Sequence, residues 1–347
     1  MDANTLKFYK YKPVAKTQYK DKFCSEPYKS IQINTNGDVQ LCDCTYYMPY
    51  TIGNVFENTL EEIWNGEQAN IVRQSVVDGD FSYCSWKCVH LPFLGPKPAQ
   101  LPSNRPFPRV IKLDMDISCN LKCPSCRESV IIEKNTAIIK KQTEIFEQIR
   151  AWALVNPDMF VKVVPLGLGE IFASHSGLAF LRSLQDYPHD NIELWLVTNG
   201  TLITRNQELL ESLDHVVSEW SVSIDAATPE TYAKVRGANW NDVTAGLELL
   251  KKYSPEKIKL NFCVQKNNYH EIEQFAELAL HYGNTIQYQK LDNWGHWNTQ
   301  WWQNNNAFDR TKDSFNQALD QLERVQQRYP GQINLAADLT KYIDKRQ

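Results

Sequence analysis

The sequence contains no uninterrupted run of the roughly 18 apolar residues that a membrane-spanning helix requires. Its first twenty residues hold no apolar stretch followed by a small-residue cleavage site, so a soluble, cytoplasmic protein with no membrane contact is expected. Internal repeats and low-complexity blocks are also missing. Nor is there an excess of positive charge: 37 Lys and Arg stand against 41 Asp and Glu, a net charge of -4, which disfavours a polyanion as the main partner. The stretch from Lys7 to Lys22 does interleave six lysines with Phe8, Tyr9, Tyr11 and Tyr19. With no matching basic stripe elsewhere it reads as a solvated tail, and nucleic acid is not the expected partner.

What is present is cysteine, nine residues in a chain of 347. Disulfides are disfavoured in a reducing compartment, so the cysteines call for metal or redox chemistry. Cys24, Cys42, Cys44, Cys84 and Cys88 precede residue 100, Cys119, Cys123 and Cys126 follow it closely, and Cys263 stands alone. Six prolines between Leu91 and Pro108 mark a boundary between a cysteine-rich module and the main domain. Four segments are expected: a basic, aromatic arm (1–22), a cysteine module (23–100), a main α/β domain (105–291) and a Trp-rich C-terminal cap (292–347).

In the module, Ile31, Ile33, Val39 and Leu41 flank Asn36-Gly37, the signature of a tight hairpin, and Cys42 and Cys44 leave its end. Thr59 with Glu62 is a capping box that opens a helix to about Val77. From Val110 onward, strand and helix patterns alternate, as in a parallel sheet wrapped by helices. Strands are predicted at Val110 to Ile117, Phe160 to Leu166, Ile192 to Thr198, Val217 to Asp225, Lys257 to Gln265 and Thr285 to Leu291. Helical spacing joins Ile138, Ile145, Phe146, Ile149 and Trp152, and again Ile272, Phe275, Ala276, Ala279 and Tyr282. Asn268 with Glu271 is predicted to cap the second of these, and Gly283 to end it. Several strands carry one polar face, which in a helix-covered sheet lines a wet or ligand-filled interior. Six βα units are too few to close an eight-stranded barrel, so an open, partial (β/α)6 TIM-like barrel is expected. Trp294, Trp297, Trp301 and Trp302 then precede a helix with Phe315, Leu319, Leu322 and Val325, a cap that packs on the barrel or walls a substrate around His296.

Cys119-x3-Cys123-x2-Cys126 directly follows the first strand, where parallel α/β folds place their chemistry. Three soft thiolates suit an iron-sulfur cluster with one iron left open, whereas closed structural zinc needs a fourth ligand, such as a remote His175. The octapeptide Cys119-Asn120-Leu121-Lys122-Cys123-Pro124-Ser125-Cys126 resembles the signature of radical S-adenosylmethionine enzymes. That resemblance implies that the amino and carboxylate groups of S-adenosylmethionine chelate the open iron of a [4Fe-4S] cluster. It further implies that an electron from a flavodoxin- or ferredoxin-type donor cleaves the sulfonium, and that the resulting 5′-deoxyadenosyl radical abstracts hydrogen from substrate carbon. Carried over residue by residue, it places Glu170, after Gly169, on the methionine ammonium, Asn199 near the cofactor, and Ser223 and Asp225 on the ribose and amino-acid groups. Arg236 falls on the methionine carboxylate and Gln265 near adenine. One position departs from the pattern: the residue before the third cysteine is usually aromatic and here is Ser125.

The earlier cysteines resemble the SPASM or twitch module of the same family, in the order Cys24, Gly37-x4-Cys42, Ile52-Gly53-Asn54 to Ile63-Trp64, and Cys84-x3-Cys88. The module usually follows the barrel and here precedes it. Cys24, Cys42, Cys84 and Cys88 are the implied ligands of a second, auxiliary [4Fe-4S] cluster, with Cys44 spare or alternate; a zinc ribbon is the other reading. Family analogy gives a peptide as substrate, with a small-molecule metabolite as alternative and a non-catalytic zinc or electron-transfer protein as the rival class. Cys263, in strand phase with Asn261 and Gln265, is either inert packing or a hydrogen-atom donor.

Overall fold

The alternation that predicts strands and the three-to-four spacing that predicts helices both take the expected form in the computed structural model. It describes residues 19–42, 47–86, 88, 90–102, 105–114, 116–166, 169–283, 285–293, 297–344 and 346. The arm up to Gln18, Cys44, Trp294 and His296 lie outside the described residues. The chain divides into two compact units, one within 1–116, 134–167 and 187–194, the other within 117–133, 168–186 and 195–347.

Along the chain, strands β1 (Lys22–Phe23), β2 (Ser30–Ile33), β3 (Asp38–Leu41) and β4 (Thr51–Asn54) precede helices α1 (Leu60–Asn65) and α2 (Glu67–Val77). The Thr59 and Glu62 box forms as predicted, with both reciprocal bonds present. The helix does not run on to Val77 unbroken, because Gly66 adopts an extended ψ of 166° and serves as N-cap of α2. At the hairpin, Gly37 alone has a positive φ, +85°. Four residues, 34–37, separate β2 from β3 rather than the two that Asn36-Gly37 suggests, and Asn34 N–H donates to Asp38 O at 2.9 Å across them.

Then come β5 (Gly95–Pro96), β6 (Val110–Asp114), α3 (Thr136–Val155), β7 (Val161–Leu166), α4 (His175–Ser183) and β8 (Ile192–Thr198). They are followed by α5 (Gln207–Leu213), β9 (Val217–Ser223), α6 (Pro229–Arg236), α7 (Trp240–Tyr253), β10 (Ile258–Val264) and α8 (Ile272–Tyr282). The chain closes with β11 (Thr285–Lys290), α9 (Thr299–Asn305), α10 (Asp313–Arg328), β12 (Ile333–Leu335) and α11 (Ala337–Asp344). The fold is α/β with a mostly parallel sheet.

In the first unit the order is β4-β3-β2-β6-β7-β8. The pairs of β2 with β6, β6 with β7 and β7 with β8 are parallel, and the hairpin pairs are antiparallel. The hairpin of the cysteine module therefore extends the sheet through β2, a join that its own local pattern does not announce. Ile145, Phe146 and Ile149 of α3 are buried, and Trp152 stacks on Phe107 with ring centroids 3.9 Å apart.

In the second unit β9, β10, β11 and β12 pair in parallel. Strand β12 was not anticipated; its three residues are too short to show a period, and it enters the sheet from within the predicted cap. Ile258, Leu260, Phe262 and Val264 of β10 are buried, while Lys259, Asn261 and Cys263 are half-buried on the other face. That face is a polar ladder: Asn261 donates to Ser221 Oγ at 2.8 Å, Lys259 pairs with Glu219 at 3.2 Å, and its ammonium lies 4.5 Å from the Trp195 ring. The five apolar positions predicted for α8 are all buried, and Gly283 ends the helix.

Helix α7 approaches the end of β8 closely because Gly246 has no side chain. A Cβ built there meets Gly200 O at 2.5 Å, and Gly200 is itself held at φ +79° in the turn after β8. Gly246→Ala gains about 1 kcal/mol of helix propensity but forces a backbone oxygen to move, an overpacking cost of about 1–3 kcal/mol. Net destabilisation is expected, read as a lower chemical-denaturation midpoint; a raised midpoint would contradict this packing.

Candidate functional site

The loop after β6 is folded back on itself before any side chain is considered. Cys119 N–H donates to Ile131 O at 2.7 Å, Ile131 N–H returns a bond to Cys119 O at 3.3 Å, and Glu133 N–H donates to Ser118 Oγ at 2.8 Å. Within this closed loop, Cys126 and Arg127 donate to Cys123 O at 2.8 and 3.1 Å, so the third thiol starts from a turn set by the second. Cys123 is buried; Cys119 and Cys126 are half-buried.

Glu170 and Asn199 fasten the loop to the strand ends. Glu170 N–H donates to Ser118 O at 2.7 Å. Its buried carboxylate accepts from Thr198 Oγ1 at 2.8 Å, Phe172 N–H at 3.3 Å and Asn199 N–H at 2.6 Å. Burial pushes the Glu170 pKa up, while the bonds from Asn199, Thr198 and Phe172 oppose that rise. Asn199 Nδ2 donates to Asn120 Oδ1 at 3.0 Å and lies 3.9 Å from Cys119 Sγ. Thr201 completes the ring: its N–H and hydroxyl donate to Asn199 Oδ1, and its oxygen accepts from Asn120 Nδ2 at 2.9 Å.

Asp225 and Arg236 make the second half of the site. Asp225 lies just past β9 at φ +62°, a left-handed conformation that costs a non-glycine residue about 1–2 kcal/mol. Three contacts hold it there: Oδ1 accepts from Cys263 N–H at 2.6 Å, Oδ2 from Arg236 at 2.9 Å, and its carbonyl from Asn268 Nδ2 at 2.9 Å. Burial raises the Asp225 pKa, opposed by Arg236 and the Cys263 N–H. Burial would depress the Arg236 pKa, but Cys123 and Asp225 hold it above its ordinary value, so the guanidinium is a fixed positive charge beside the second cluster thiol.

Asn268 and Glu271 correct an expectation. They do not cap α8; both side chains reach across to the loop after β9. Asn268 also donates to Cys263 O at 2.9 Å and accepts from Gln265 N–H at 2.7 Å. Glu271 accepts from Ala227 N–H at 2.6 Å and from the hydroxyls of Thr228 and Thr231 at 2.7 and 2.5 Å. The sequence signal marked the right residues, but the Asp225 carbonyl for Asn268, and the Ala227 N–H with two threonine hydroxyls for Glu271, outcompete the start of α8. Gln265 is buried just past β10, and Ser223 is half-buried at the end of β9.

The residues present fit an iron-sulfur cluster with a polar ligand. Three soft donors share one short loop, and Arg236 offsets their negative charge. Around Asp225, the buried Nε of Arg236, Nε2 of Gln265 and hydroxyl of Tyr232 have no hydrogen-bond partner, a set of donors in want of an acceptor. Among the described residues no three His, Cys, Asp or Glu side chains close on one point as around a lone ion, whereas the thiols of a cluster each meet a different iron. His175 is exposed at the start of α4.

In the first unit, burial pushes the Cys24 thiol up to about 11, and Cys88 adds to the rise. Burial raises Cys84 further, with Cys88 and Cys24 contributing, so these three thiols share one neighbourhood. Cys42 is buried at φ +79° after β3. The Ile52-Gly53-Asn54 stretch is structural: Asn54 donates to Asn36 O and Asp38, bracing the hairpin, and a Cβ on Gly53 would meet Ile63 at 2.9 Å.

Three thiols on one loop at the strand ends of a parallel α/β fold are thus a donor set that fits an iron-sulfur cluster. The Radical SAM superfamily profile matches residues 117–279, and an iron-sulfur cluster-binding domain, SPASM, matches residues 24–89. Residues 117–279 are thus a radical S-adenosylmethionine domain and residues 24–89 a SPASM domain, with [4Fe-4S] clusters and S-adenosylmethionine as the cofactors. A probable GTP 3',8-cyclase of Methanococcus aeolicus is 27% identical over 161 residues, 45% of this chain and 50% of the relative. The chain thus spans about half the length of the curated relative it matches. Streptococcus suis SuiB bound to S-adenosylmethionine superposes with a TM-score of 0.46 at 16% identity, covering 66% of this chain and 50% of that one. SuiB bound to its precursor peptide SuiA gives 0.45 at 15%, covering 94% and 70%.

Reading the sequence alone missed Asn120, Thr201 and Tyr232, and misjudged the task of Asn268. Only Tyr232 carried a usable signal, one helical turn before Arg236. Asn268→Ala leaves two buried carbonyls and one N–H unpaired and is expected to cost about 2–4 kcal/mol, measured by chemical denaturation; a change under about 0.5 kcal/mol, the scatter of an ordinary surface substitution, would show that Asn268 does not hold Asp225.

Proposed function

We propose that this chain reductively cleaves S-adenosylmethionine to methionine and a 5′-deoxyadenosyl radical that abstracts hydrogen from a substrate carbon, and that it acts as a peptide-modifying maturase. The observation that carries this reading is the closed loop holding Cys119, Cys123 and Cys126 against the Arg236–Asp225 pair. A [4Fe-4S] cluster held by such a loop would, once reduced, supply the single electron that breaks the sulfonium bond. The chain's own residues would orient the cofactor: Arg236 retains its unpartnered Nε for the methionine carboxylate and Gln265 its Nε2 for adenine, while Ser223 and Asp225 would meet the ribose and amino-acid groups. Glu170, whose carboxylate three donors of the chain already hold, would meet the methionine ammonium. Asn199 orders the turn next to Cys119.

Cys24, Cys42, Cys84 and Cys88 would hold the auxiliary [4Fe-4S] cluster, which binds substrate or takes the leftover electron. A flavodoxin- or ferredoxin-type protein would supply electrons. The peptide reading rests on the SPASM-type module. A small-molecule substrate is the second reading, favoured by the likeness to a probable GTP 3',8-cyclase.

Anaerobic protein loaded with iron and sulfide should hold about eight irons, release 5′-deoxyadenosine on reduction with S-adenosylmethionine, and lose that release in Cys123→Ala. The Cys84→Ala/Cys88→Ala variant should retain about four irons and part of the cleavage. Equal deoxyadenosine from Cys123→Ala would remove the radical reading. A wild type with about four irons and one zinc would make the N-terminal module structural.

A further inference from the structure

Tyr232 and Arg236 stand four residues apart on α6 and so share a helix face. The helix ends on Gly237, left-handed at φ +64°, and a Cβ built there lies 3.6 Å from Lys122 O, the residue before Cys123. The last turn of α6 therefore meets the cluster loop at its second cysteine. Tyr232 is wholly buried and its ring is held edge-on by Trp240, with centroids 5.4 Å apart. Its hydroxyl has no hydrogen-bond partner.

A buried hydroxyl without a partner costs free energy, and folded proteins seldom keep one unless a bound group completes it. The charged groups that bear on this hydroxyl are Arg236, Cys123, Asp225 and Asp242. Arg236 has only donors. Neither oxygen of Asp225 accepts from the Tyr232 hydroxyl; they take Arg236 and the Cys263 N–H. Asp242 is exposed on the first turn of α7. Of these four groups, the sulfur of Cys123 is the one that cluster loading changes, since it becomes anionic and acceptor-rich when it ligates iron.

We propose that Tyr232 donates a hydrogen bond to the Cys123 thiolate of the loaded cluster and thereby sets the potential at which that cluster takes its electron. Tyr232 is thus a positioning residue, acting through a ligand rather than on substrate. The inference rests on the function proposed above. A donor to a ligand sulfur stabilises the more negative, reduced form, so removing it makes reduction harder.

The test is Tyr232→Phe in the full, cluster-loaded chain without S-adenosylmethionine, followed by electron paramagnetic resonance during a redox titration. The relevant signal is the one that Cys123→Ala abolishes. At the wild-type midpoint potential, the reduced-to-oxidised ratio is expected to fall about threefold to tenfold, roughly 30–60 mV for one electron, with the iron content and the other cluster unchanged. Thermal unfolding of the iron-free proteins is the second measurement. There the variant should be as stable as wild type or more so, since it loses only an unpaired group, whereas cluster loading should stabilise it less than wild type. An unchanged ratio at full iron content overturns the proposal, as does a variant less stable than wild type without iron. A wild type that takes up no iron overturns both this inference and the proposed function, and is seen before any variant is made.

Discussion

The buried ion pair between Asp225 and Arg236 is the constraint on which the rest of the site depends. Side-chain exposures of 6% and 14% mean that both charges have given up most of their water, which is tolerable because they pair at 2.9 Å and Asp225 also accepts from Cys263 N–H. Asp225 ties the end of β9 to β10 through Cys263 N–H and to α6 through Arg236. Arg236 in turn faces Cys123. Removing either partner would strand a buried charge, at about 3–5 kcal/mol. The left-handed backbone at Asp225 is sustained by the same contacts, with Asn268 on its carbonyl and Glu271 on the residues that follow. Strain, charge and the approach of α6 to the cluster loop are thus parts of one arrangement.

Much of this was legible in the sequence, for physical reasons that differ by feature. Helix α8 was readable because five apolar residues at helical spacing all face the core, and β10 because its buried and half-buried residues alternate strictly. The loop of Cys119, Cys123 and Cys126 stands out in the sequence because three thiols at fixed spacing have few other uses. The four-residue hairpin loop, the break at Gly66 and strand β12 were not, since each depends on backbone geometry or on a distant strand. The side-chain bonds of Asn268 and Glu271 were hidden for a related reason: a capping box is a local rule, and here backbone groups some forty residues away in sequence take precedence. Glu170 shows the same competition, its carboxylate held by Thr198 and Asn199 on the next strand.

The cysteine module is built on similar terms. Its hairpin is braced by Asn54 and its helices by Arg73, which is buried, donates to Pro27 O and Trp64 O, and lies 4.2 Å over the Trp64 ring. Burial lowers the Arg73 pKa to about 10, still well above neutrality, so it remains a cation. Much of the family pattern in this module is therefore scaffold that presents Cys24, Cys84 and Cys88 to one another.

The proposed function requires that three cysteines hold four irons and leave one iron for S-adenosylmethionine. Mössbauer spectroscopy on the ⁵⁷Fe-loaded Cys84→Ala/Cys88→Ala variant reads this directly, because the irons of a [4Fe-4S] cluster are resolved by their ligands. Adding S-adenosylmethionine is expected to set one iron in four apart from the other three, with a larger isomer shift as its coordination expands. A spectrum that does not change on addition, or irons that stay equivalent in its presence, would contradict an open iron at Cys119, Cys123 and Cys126.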